Sequence, residues 1–66
     1  MNFGLCLELA LEEQELTYEQ AGELFGFSKQ RVGALVNQRN ANTRTAERLA
    51  KQLGYALSEF IALGEK

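Results

Sequence analysis

The chain has 66 residues, seven Lys+Arg against nine Glu, a net charge of −2 and 45% hydrophobic residues. A chain this short is expected to form one domain over residues 1–66 and to bury only roughly 60% of the surface its unfolded form exposes, which leaves no room for an enzyme with a cleft between lobes. With no His or Asp and a lone Cys6, it offers no histidine-based catalytic arrangement, no disulfide, and no expected metal site or cofactor; a reducing cytoplasm is the expected location.

Pro is absent and Val and Ile are scarce, so the composition favours helices, and five short ones are expected with no strand. The first runs from about Asn2 to Gln14. Its apolar residues Phe3, Cys6 or Leu7, Ala10 and Leu11 recur at helical spacing, with Glu8, Glu12 and Glu13 off that stripe. Leu5 and Leu9 form a second apolar pair, more than one core face needs. The stretch carries no basic leader segment or cleavage site, and no run approaches a membrane span of about 18 apolar residues.

Thr17 reads as the cap of a second helix, with Gln20 completing a capping box. "YEQAGELF" continues that helix to Gly26, a left-handed stop. Ser28 caps a third, "KQRVGALVN". Thr43 is expected to cap a fourth, "RTAERLAKQL", ended by Gly54, and Ser58 a fifth, "EFIAL", ended by Gly64. The second and third helices are joined only by Gly26–Phe27–Ser28, so they must cross steeply, as in a helix-turn-helix. Ala21 and Gly22 allow the approach, and Phe25, Phe27, Val32 and Leu35 fill the wedge. An ordinary helical hairpin is the plainer alternative.

Charge follows this layout. Between Lys29 and Lys51 lie six basic residues and one acid, Glu47, a local +5, while the remainder, with one Lys and eight Glu, carries −7. Either this is a solvated basic face beside an acidic one, or it binds a polyanion. If Val32 and Leu35 face inward, Lys29, Gln30, Gly33, Ala34 and Asn37 lie on the far side. Lys can donate to guanine, Gln can pair with adenine, and the Ala34 methyl can meet a thymine methyl. Gly33 costs about 0.5–1 kcal/mol of helix stability relative to Ala, explained either by close packing or by close approach of backbone to DNA. Asn37, Arg39, Asn40, Asn42 and Arg44 follow without an acid and suit phosphate contacts; Ser28 and Arg31 are expected to join them.

"LTYEQAGELFGFSKQRVGAL" with "RLAKQLGYALSEF" resembles the phage-repressor class of DNA-binding domains, the Cro-type or XRE family to which lambda repressor belongs, over about residues 7–60. The resemblance implies a compact five-helix all-α fold with the helix-turn-helix in helices two and three. It places Lys29, Gln30 and Ala34 at base-reading positions with Gly33 beside them, and Asn40 in a loop that also reaches a base. Tyr18, Asn37 and Asn42 match backbone-contacting positions. Lys29 and Arg31 replace neutral residues of the lambda pattern, so a different operator is expected. With no basic arm and no second domain, a short Cro-like regulator of transcription is implied. It would bind a palindromic double-stranded operator as a homodimer, with Leu57, Phe60, Ile61 and Leu63 as the expected interface and Leu5 with Leu9 as a second candidate. The alternative is an antitoxin whose acidic first helix meets a partner protein.

Overall fold

A computed structural model describes residues 2–65 and contains five helices, with no strand among the described residues: α1 (Phe3–Glu13), α2 (Tyr18–Phe25), α3 (Lys29–Val36), α4 (Thr43–Gln52) and α5 (Leu57–Leu63). The all-α expectation holds. Helix α3 packs on α2 and α1, and α5 packs on α1 and α4, so the chain, 25 × 20 × 20 Å in extent, wraps around one apolar core. The stripe expected on α1 is the centre of that core: Phe3, Leu7 and Ala10 are fully buried, with Cys6 and Leu11 beside them. The Phe3 ring lies tilted against Phe60, 6.1 Å between centroids.

Local chemistry sets most boundaries. Thr17 Oγ1 accepts from Gln20 N, and Gln20 Oε1 accepts from Thr17 N, the full reciprocal capping box. Gly26 and Gly54 both take left-handed backbone, at φ +80° and +88°. The third left-handed residue, Glu15 at φ 57°, has no glycine to ease it. It closes α1 in a Schellman turn, with Leu16 N–H donating to Leu11 O at 2.9 Å and Glu15 N–H to Glu12 O at 3.0 Å. Beyond that turn the Gln14 side-chain amide donates to Leu53 O, tying the ends of α1 and α4 together.

Two caps differ from expectation. Asn42, not Thr43, caps α4: its Oδ1 accepts from Thr45 N at 2.7 Å. Ala56, not Ser58, precedes α5, and Glu59 Oε1 accepts from Ala56 N at 3.0 Å. The missing side-chain cap is tolerated because burial of Phe60 and Leu63 dictates where the helix lies. Gly64 ends α5 without left-handed backbone (φ −81°). It is small because a side chain there would run into Cys6 Sγ.

The same burial corrects the expected dimer surface. Phe60 is 0% and Leu63 8% exposed, so both are core residues; Leu57 and Ile61 are half-buried and remain on the surface of α5. Leu9 is half-buried against the core, and Leu5 is exposed.

Candidate nucleic-acid interface

The tight turn after α2 is built by backbone as much as by side chains. Gly22 O accepts from both Gly26 N and Phe27 N at 2.8 Å. A methyl group at Gly22 would stand 2.5 Å from Phe27 O, so only glycine lets the turn close over α2. Phe25 and Phe27 meet with centroids 6.2 Å apart, and the Arg31 guanidinium lies 4.7 Å over the Phe27 ring. That cation–π contact steadies Arg31 at the start of α3 and leaves the edge of its guanidinium open.

Ser28 Oγ accepts from Arg31 N at 3.1 Å and starts α3. Val32 (0% exposed) and Leu35 (8%) anchor one side of the helix. At about 100° per residue, Gln30, Ala34 and Asn37 fall on the opposite side. All three are exposed, as are Lys29 and Arg31. Helix α3 therefore holds its apolar residues in the domain and presents Lys29, Gln30 and Ala34 outward. Gly33 is half-buried; a methyl group there would meet the Tyr18 ring at 3.8 Å, ordinary contact. Packing within the domain does not require glycine at 33.

The loop from α3 to α4 carries exposed Gln38, Arg39, Asn40 and Asn42, with Ala41 half-buried between them. Asn37 closes α3 by donating one amide N–H to Gly33 O at 3.1 Å, which leaves its other N–H free for an outside acceptor. Asn42 uses its side-chain oxygen for the α4 cap, which leaves the amide donors of this exposed side chain uncommitted to that cap. Farther on, Arg44, Arg48 and Lys51 are exposed at helical spacing and line, with Thr43 and Glu47, an open groove of about 500 Å³. This extends the basic surface two turns beyond Arg44. Arg48 and Lys51 were visible in the charge count but not as one face until the phase of α4 was known.

One element of this surface gave no sequence signal beyond a glycine in an apolar helix. The first turn of α1 holds the loop: Phe3 N–H donates to Arg39 O at 2.9 Å and Gly4 N–H to Gln38 O at 2.7 Å. The acidic residues of α1, Glu8, Glu12 and Glu13, are exposed. Glu12 and Glu13 line a separate open groove of about 440 Å³ with Leu9 and Leu63. No helix among the described residues is long and apolar enough to cross a membrane.

A family model described as helix-turn-helix matches residues 7–60, most of the chain. No curated protein and no solved structure matches it.

Proposed function

The chain belongs to the helix-turn-helix family, the lambda-repressor-like group of DNA-binding regulators of transcription, and we propose that it is a Cro-type phage or prophage repressor that reads a palindromic operator as a homodimer. The observation that carries the reading is the two-sided character of α3: Val32 and Leu35 are buried while Lys29, Gln30 and Ala34 are exposed behind a turn that fixes the helix on α2. In such motifs the first turn of the second helix enters the major groove. Lys29 and Gln30 read bases there, Ala34 meets a thymine methyl, Gly33 admits the duplex and Asn40 reaches a base from the loop. Tyr18, Ser28, Arg31, Asn37, Arg39, Asn42 and Arg44 hold the phosphates on either side. One such helix spans few base pairs, so two copies sit on half-sites about 34 Å apart, joined through Leu57 and Ile61, the apolar residues that α5 leaves at its surface.

Selection of bound duplexes from a random pool at two salt concentrations, with the mass in solution measured alongside, tests this. Lys29→Ala and Gln30→Ala each shift base preference at one or two positions, by about 1–3 kcal/mol. Arg44→Ala weakens all duplexes and lowers the salt slope by about 0.9. Equal weakening on every duplex by all three variants would remove the base-reading assignment.

A second reading, an antitoxin that masks a partner protein and represses its own operon, draws support from the acid-rimmed groove of Leu9, Glu12, Glu13 and Leu63. A basic partner protein that copurifies with the chain would favour it.

A further inference from the structure

This inference rests on the DNA-binding reading above. The N–H groups in the first turn of a helix have no acceptor within the helix. In α1 three of them find one outside the helical ladder: Phe3 N donates to Arg39 O (2.9 Å), Gly4 N to Gln38 O (2.7 Å) and Leu5 N to Asn2 Oδ1 of the cap (3.2 Å). Two of the three therefore grip the loop that follows α3. Glycine is a poor helix former, yet it stands at position 4, where any side chain would strike the carbonyl oxygens of Val36 and Gln38. The loop backbone thus lies flat on the start of α1. The grip is anchored in the core, because the Phe3 ring is fully buried against Phe60. The loop is tied on either side as well, by Gln38 N to Leu35 O at 3.1 Å and by the Asn42 cap of α4. Arg39 and Asn40 lie between these ties and are exposed, as are Gln38 and Asn42 at its ends.

We propose that the first turn of α1 is a latch that holds Arg39 and Asn40 in register with the DNA, and that Gly4 is its positioning residue. Gly4 touches no DNA. It acts by letting two backbone donors reach the loop carbonyls.

A double-mutant cycle on a selected duplex, over a series of salt concentrations, tests it. Gly4→Ala is paired with Arg39→Ala and, separately, with Lys29→Ala. Gly4→Ala lowers affinity roughly tenfold and reduces the salt slope by about 0.9 for each phosphate contact given up. In that background Arg39→Ala costs no more than about twofold, because its contact is already lost, whereas Lys29→Ala costs the same factor as in the parent protein. Asn2→Ala, which loosens the same turn without adding volume, shifts affinity in the same direction by a smaller factor, and it carries the cycle if Gly4→Ala does not fold. Arg39→Ala losing the same factor in parent and latch variants would overturn the latch while leaving DNA binding intact. A parent protein that binds no duplex at low salt would overturn the DNA-binding reading and the latch's role with it.

Discussion

Gly22 and Gly33 sit on adjacent helices, and alanine at each is expected to move stability in opposite directions. At Gly22 the new methyl would lie 2.5 Å from Phe27 O, with Phe27 C and Ser28 C at 3.4 Å. Carbon–oxygen contacts are comfortable only from about 3.3 Å, so the turn must open by roughly 0.8 Å. Overpacking of this kind costs about 1–3 kcal/mol, and the better helix propensity of alanine returns about 0.5–1 kcal/mol. The net loss spans about 0–2.5 kcal/mol and centres on about 1.2 kcal/mol, or roughly 5–10 °C in Tm for a domain of this size. At Gly33 the nearest atoms to the new methyl are in the Tyr18 ring at 3.8 Å, so the propensity gain of about 0.5–1 kcal/mol survives and Tm rises by a few degrees. Thermal melts followed at a helix-sensitive wavelength measure both. A Gly22→Ala protein at least as stable as the parent would refute the close approach on which the helix crossing depends. Gly33→Ala carries a second readout: if DNA lies against that backbone, the stabler variant binds its duplex more weakly.

Other substitutions probe single features. Glu15→Gly relieves left-handed backbone at φ 57° and is expected to raise stability by about 1 kcal/mol in denaturant titration. Asn42→Ala removes the α4 cap and is expected to lower stability by about 1 kcal/mol, while Thr43→Ala, at the position first expected to cap, changes it little. Burial pushes the Cys6 thiol above its ordinary value of 9.0. The unfolded chain therefore gives up this proton at lower pH than the folded one, and the Cys6 contribution to stability is full below about pH 9 and is lost as pH rises past it. Cys6→Ser, titrated alongside from pH 7 to 11, should lack that part of the alkaline decline.

Where one short stretch contains both partners of an interaction, the sequence is readable. Thr17 and Gln20 are three residues apart and each side chain accepts from the other's backbone N–H, and Gly26 needs no partner to favour left-handed backbone. The outward set on α3 was legible for the same reason, since Val32 and Leu35 define its phase. Adjacent capping residues were harder: Asn42 and Thr43 are both good caps, and only the backbone conformation decides between them. In α5 the distant core outweighed local preference. Its four large apolar residues looked equivalent in sequence, but packing against α1 and α4 draws Phe60 and Leu63 inward and leaves Leu57 and Ile61 at the side. Gly4 was silent because its reason lies far along the chain, in the carbonyls of Val36 and Gln38.

The double acceptor at Gly22 O, the left-handed Gly26 and the missing side chain at 22 leave the α2–α3 pair no soft joint. A reading head this stiff cannot reshape itself to an imperfect site, so the work of fitting falls on the duplex. Under the two-half-site reading proposed above, base pairs that touch no side chain then still count: easily bent or twisted steps at the centre of the operator should bind more tightly than stiff ones, with the half-sites unchanged.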